Sequence, residues 1–376
     1  MSAAPSGLHT GIDTSDAYPV HYRFSPAKKG NQHLVVVFAD IAAPDDYGWS
    51  NGVFDKLRAN VLWIRDHFDG RNSYYLCRGM DFTLERSVLT LIATVRNSLG
   101  LTPGQCTLWG GSKGGSAALY FGLKYGFGNI VALVPQFLIG THLRKHPATA
   151  RFMMGEVTER NIQVLDRAIP DLVASGANRG AHIYLLSSPQ DEQYPVQVEP
   201  FLPLFQGYEN VNLILSDSPH ISGHTEVIRR NVPMLMGLVN FLIDGIPPRL
   251  GHVVNGRERP EADRSAIDAF LKSTSQIRDT FSPPRVHTPV PGQHVGAAVR
   301  FTGFAPGAVR VGLRERGASL GSPDVAADGS WSWEPPGPMA PGDHLVRVFA
   351  VDPAGFASPT TDVAFRVEDG HAASRR

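Results

Sequence analysis

The sequence predicts an α/β fold, a mostly parallel sheet flanked by helices, followed by a C-terminal all-β sandwich. Three observations carry that prediction. Short continuous apolar runs rich in β-branched residues, such as Leu34 to Ala39 and Ile130 to Val134, have the composition of strands covered on both faces. Helical spacing appears between such runs, so strand and helix alternate. From about Pro284 the period shortens to two, with apolar and polar residues alternating between turn signals such as Asp328-Gly329.

Composition narrows the class of partner. The 376 residues suffice for two domains, and 42% hydrophobic content suffices for a core. Lysine plus arginine equals aspartate plus glutamate at 35 each, which excludes an overall basic field of the kind that binds nucleic acid. Two cysteines, Cys77 and Cys106, are too few for a disulfide framework and read as buried thiols. Met1 to Tyr18 is polar, without the apolar segment of a secretory signal, and no run reaches membrane-span length. The expectation is a cytoplasmic protein with no membrane span.

In chain order, His21 to Phe24 reads as an edge strand, Leu34 to Ala39 as a buried one, and Asn60 to Arg65 as a third. Asp66 to Asp81, with Gly70 and Tyr74-Tyr75, reads as a long surface connection. Leu84, Val88, Leu91, Ile92, Val95 and Leu99 mark one face of a helix that ends at Gly100. Cys106 to Trp109 is a strand, and the small residues from Gly114 open a helix that closes at Gly126. A loop follows Ile130 to Val134 and carries His142, Arg144, Lys145, His146 and Arg151, at the sheet end where ligands bind; it reads as solvated, with an anionic substrate as the alternative. Strands at Ile183 to Leu186 and Val211 to Leu215 complete the sheet. Residues 1–245 are thus the α/β domain, 246–283 a linker with a short helix, 284–368 the β-sandwich and 369–376 a disordered tail.

Gly110-Gly111-Ser112-Lys113-Gly114 matches G-x-S-x-G in a strand, turn, helix context, where a strained turn exposes a serine hydroxyl at the end of the sheet. Ser112 is the candidate nucleophile; a phosphate-binding or purely structural glycine turn is the alternative. A serine nucleophile needs a base, and the base needs an orienting acid. Asp191, a few residues past the strand Ile183 to Leu186, supplies the acid, with Glu192 as its possible replacement. The loop after Val211 to Leu215 supplies the base: His224 is preferred because Gly223 frees the backbone and Thr225-Glu226 opens a helix, with His220 second. The backbone N–H groups of Lys113 and Ile41 are the expected oxyanion hole. A metal cluster of Asp217, His220 and His224 is the weaker reading, lacking H-E-x-x-H and cysteine ligands, so no metal and no cofactor are expected.

The stretch Gly110 to Tyr125, with Val134-Pro-Gln-Phe-Leu-Ile-Gly140 downstream, resembles the α/β-hydrolase-like proteins of bacterial capsular-polysaccharide biosynthesis. It is similar, more distantly, to the accessory Sec component that O-acetylates sugars on serine-rich glycoproteins. The likeness spans roughly residues 30–245 and puts the family's nucleophile on Ser112. It implies an ester hydrolase or a sugar O-acyltransferase working through an acyl-enzyme on a small-molecule or glycan ester, with a non-catalytic glycan-binding or scaffold protein as the competing class. Asp324 to Trp333 and Gly342 to Gly355 resemble bacterial immunoglobulin-like modules. In such a sandwich one of Trp331 and Trp333 is expected in the core, and an exposed sugar-stacking tryptophan is the alternative.

Overall fold

The computed structural model describes residues 7–41, 46–49, 52–54 and 56–368. They divide into two compact units, one ending at Pro260 and one beginning at Glu261.

The first unit is built on a nine-stranded sheet: β1 (His9–Asp13), β2 (Val20–Ser25), β3 (Leu34–Phe38), β4 (Asn60–Ile64), β5 (Cys106–Gly111), β6 (Asn129–Leu133), β7 (His182–Ser187), β8 (Val211–Ser216) and β9 (His252–Asn255). Their spatial order is β1-β2-β4-β3-β5-β6-β7-β8-β9. The seven strands from β4 to β9 in that order run parallel, and β1 and β2 are antiparallel additions at one edge. Every residue of β3, β4, β5 and β6 is buried, which is why these strands read as unbroken apolar runs.

Successive side chains on a strand point to opposite faces, and each face has its own helical cover. On one, Leu34, Val36 and Phe38 share a core with residues of α1 (Thr83–Ser98) and α2 (Lys113–Tyr125), including Leu84, Val88, Leu119 and Phe121. The short helices α3 (Ile139–Leu143), α4 (Pro147–Met154), α5 (Glu159–Arg167) and α6 (Pro170–Ala174) extend that layer. On the other, Val35, Val37, Trp63 and Trp109 pack with Val227, Leu235 and Leu238 of α8 (His224–Ile243), which follows the one-turn helix α7 (Tyr194–Gln197).

Four readings change. His21 to Phe24 lies inside the sheet, because β1 pairs outside it. The basic loop is mostly helical, as α3 and α4. The stretch read as a linker supplies β9, whose Leu213↔His252 register continues the parallel ladder. Asp66 to Asp81 is a surface connection only in part: Asp69, Gly70, Arg71, Arg78 and Gly79 are exposed, but Asp66, Ser73, Tyr74, Tyr75 and Cys77 have no exposed area, because the Asp66 carboxylate is neutralised inside the fold. Cys77 and Cys106 are free and buried, and burial pushes both thiols up to about 12.

The second unit contains α9 (Ser265–Thr274) and eight strands, β10 (Arg285–Thr288), β11 (His294–Val295), β12 (Phe301–Phe304), β13 (Arg310–Glu315), β14 (Ala318–Gly321), β15 (Ser330–Trp333), β16 (Gly342–Val351) and β17 (Thr361–Val367). They form sheets of order β10-β12-β15 and β11-β17-β16-β13-β14. Phe301, Trp331, Val311, Leu313, Val348 and Phe365 lie in one core. Trp331 is buried in it, and Trp333 packs half-buried against Phe301 with ring centroids 5.6 Å apart. Residues 369–376, the expected tail, lie outside the described residues.

Candidate active site

The site lies at the carboxyl end of the parallel strands. Ser112 joins β5 to α2 with φ 53°, ψ −121°, a conformation that is strained for a residue bearing a Cβ. Its neighbours are glycine for steric reasons. A Cβ on Gly110 would lie 2.1 Å from the Gly114 carbonyl oxygen, and one on Gly114 would lie 2.3 Å from that of Phe38. The turn is held by Ser112 N–H donating to the Leu133 carbonyl at 2.8 Å. Lys113 opens α2, so its backbone N–H points out of the helix with no carbonyl one turn earlier to bond.

Three strand ends converge here. Asp191, buried in the loop after β7, accepts the Gln193 N–H on Oδ1 at 2.9 Å and faces His224 Nδ1 with Oδ2 at 2.8 Å. His224 Nε2 lies 2.9 Å from Ser112 Oγ. The carboxylate can only accept, so Nδ1 donates and Nε2 is left as the acceptor facing the serine hydroxyl. His224 is the first residue of α8, and its backbone N–H donates to Glu192 Oε2 at 3.0 Å. Glu192 therefore caps the helix that carries the histidine, while Asp191 meets the ring. The second histidine candidate is elsewhere: His220 is exposed, and its N–H donates to Ser218 Oγ at 3.3 Å. Asp217 accepts from Gln190 Nε2 at 2.6 Å. Among the described residues no group of three or more His, Cys, Asp or Glu side chains could hold a metal ion.

Ile41, half-buried just past β3, accepts a hydrogen bond from Asn72 Nδ2 on its carbonyl at 3.3 Å. Residues 42–45 of the same loop lie outside the described residues.

Two features escaped sequence reasoning. Beneath the elbow, the fully buried Lys113 ammonium donates to Asp66 Oδ2 at 2.5 Å and lies 4.7 Å from the centre of the Tyr75 ring. Asp66 also accepts from Ser73 N–H, Ser73 Oγ and Tyr74 N–H. Burial holds the Lys113 amine below its usual range, with the Asp66 charge pulling the other way. The Tyr75 hydroxyl donates to the Ile64 carbonyl and accepts from Ala39 N–H, tying the ends of β3 and β4 to this pair. The only sequence signal was an aspartate directly after a strand end. The second feature is Gln136, past β6, whose Nε2 lies 2.7 Å from Ser112 Oγ. Of the basic residues nearby, His142 is nearly buried and lowered to about 4, by burial first and then by the charges of His146, His224 and Lys145; Arg144 pairs with Glu159 at 2.6 Å.

Solved structures of similar architecture exist. A Glycosylation Associate Protein complex from Streptococcus agalactiae superposes with TM-score 0.54 at 16% identity, over 65% of this chain and 48% of that one. The fold is α/β-hydrolase-like. The capsule O-acetyltransferase of Neisseria meningitidis serogroup A matches with TM-score 0.47 at 18% identity, over 60% of this chain and 97% of its own. A Staphylococcus aureus fluorophosphonate-binding serine hydrolase matches with TM-score 0.46 at 12% identity, over 62% and 99%. No protein-family model matches the chain, and no curated protein matches it in sequence. Among the described residues no helix is long and apolar enough to cross a membrane.

Proposed function

We propose that this protein is a serine-dependent ester hydrolase that works through an acyl-enzyme on an acylated glycan or related cell-envelope ester. The observation that carries the reading is the relay of Asp191, His224 and Ser112, with contacts of 2.8 and 2.9 Å, on a strained elbow. In this reading His224 Nε2 takes the Ser112 proton as Oγ attacks the ester carbonyl, and Asp191 holds the imidazolium that forms. The Lys113 N–H and a second from the loop at Ile41 bind the oxyanion. His224 then returns the proton to the leaving alcohol, and an acyl group stays on Ser112. Water ends the cycle as hydrolysis; a sugar hydroxyl in its place ends it as O-acyl transfer. The Streptococcus agalactiae neighbour is a glycosylation-associated protein, which makes glycan esters and glycan acceptors the substrates to try first. Residues 1–245 carry the chemistry in this reading, and 284–368 form an immunoglobulin-like appendage.

The test is labelling with a serine-directed fluorophosphonate, with the adduct mapped by mass spectrometry. Labelling at Ser112 that disappears in folded Ser112→Ala supports the reading. A folded wild-type protein that takes no label overturns it in favour of a glycan-binding protein with an inert hydrolase core. Acetylated sugars assayed with and without an acceptor then separate hydrolysis from transfer.

A further inference from the structure

Ser112 Oγ has a polar neighbour besides His224. The Gln136 side chain has no exposed area, and its Nε2 lies 2.7 Å from Ser112 Oγ and 3.1 Å from Gln193 Oε1. Gln193 in turn donates its backbone N–H to Asp191 Oδ1. Ser112, His224, Asp191, Gln193 and Gln136 therefore close a ring of hydrogen bonds around the nucleophile. The backbone of Gln136 is clamped to α2, because Ser116 Oγ accepts from its N–H and donates to its carbonyl, both at 2.8 Å.

Stability is a poor reason for a glutamine here, because only half of its amide is paired. Its Oε1 is buried and has no hydrogen-bond partner among the described residues, so the side chain carries a desolvation penalty that an apolar residue of the same length would not. What the amide does have is a donor aimed at the nucleophilic oxygen itself, which the oxyanion donors do not reach.

We propose that Gln136 is a fourth catalytic residue, whose Nε2–H stabilises the negative charge that develops on Ser112 Oγ; the assignment rests on the acyl-enzyme reading above. Oγ has two lone pairs. One accepts from Gln136, and the other forms the bond to the acyl carbon while the hydroxyl proton passes to His224 Nε2. In the second half-reaction a hydroxyl attacks the acyl carbon and gives its proton to His224. The bond from the acyl carbon to Oγ breaks with its electron pair going to Oγ, which takes the proton from His224. Charge grows on Oγ in both halves, and the same donor serves both.

The test uses the full chain and a fluorophosphonate, where the Oγ–P bond forms, fluoride leaves and the serine proton goes to His224. Gln136→Met keeps length without a donor; Gln136→Glu keeps shape and polarity and, labelled at a pH where its buried carboxyl is ionised, only accepts. The maximal labelling rate should fall about 10- to 100-fold in both, the worth of a hydrogen bond to a charged atom. The half-saturating probe concentration should stay within about twofold, and Gln136→Met should melt no lower than wild type. If wild type labels and folded Gln136→Met or Gln136→Glu labels equally fast, Gln136 has no role in the chemistry and the acyl-enzyme reading survives. If neither variant folds, the glutamine is kept for stability and the proposal is wrong. A folded wild-type protein that takes no label removes both readings together.

Discussion

Replacing Lys113 by methionine isolates the buried charge pair beneath the elbow. Both side chains are fully buried and 2.5 Å apart. At an effective dielectric constant of about 20 their gross attraction is about 7 kcal/mol, and desolvating two ions offsets most of it. The net worth of the intact pair over an apolar substitute is therefore small, whereas removing one partner leaves the other charge stranded. Lys113→Met leaves Asp66 with its hydrogen bonds from Ser73 and Tyr74, and should cost about 3 kcal/mol. Asp66→Asn strands the ammonium against the Tyr75 ring and weakens the cap on 73–74, and should cost about 4 kcal/mol. The double variant should cost several kcal/mol less than the sum of the two. Urea unfolding followed by far-UV circular dichroism suits the measurement, because eight of the nine α-helices defined above lie before residue 260. A Lys113→Met cost below about 1 kcal/mol, with the double variant additive, would refute the reasoning.

Two further outcomes follow from buried groups. His33, which shares a hydrogen bond with Thr107 Oγ1 at 2.8 Å, is lowered by burial to about 4 from an ordinary 6.5. The unfolded chain binds its proton first as pH falls, so stability present above about pH 6.5 declines towards pH 4 by about 3 kcal/mol from this residue alone. Urea midpoints across that range should show the slope, and His33→Gln should flatten it. Gly114→Ala puts a methyl group against the Phe38 carbonyl, a backbone atom that cannot move aside; a loss of about 3 kcal/mol or more in unfolding free energy is expected, with slower labelling of Ser112.

Legibility in the sequence followed the range of the interaction. The central strands were readable because burial on both faces removes every polar residue from Leu34–Phe38, a local property of composition. The elbow was readable because the close approach of α2 to β5 and to the end of β3 demands glycine at Gly110 and Gly114, both within two residues of the serine. Asp191 and His224 were candidates from chain order, since each follows its own strand end; preferring His224 over His220 from sequence leaned on Gly223, and in the structure one ring lies 2.9 Å from Ser112 Oγ while the other residue is exposed.

Tertiary structure alone decided the rest. Asp66 and Lys113 are 47 residues apart, and Gln136 and Ser112 are 24 apart, so no local pattern links them. Asp66 to Asp81 reads as surface because its glycines and polar residues are those of a loop, and Gly70 and Gly79 are indeed exposed; Asp66 and 72–77 are buried because a lysine from another element neutralises that aspartate. His252–Asn255, with only two apolar residues between polar ends, is too short to announce a strand, and it becomes one only because β8 offers a free parallel edge. Sequence determined which residues had to be inside and where the backbone had to turn, since those are set by solvation and sterics within a few residues. Which polar groups meet at the end of the sheet depends on how the strands are ordered, a property no single segment contains.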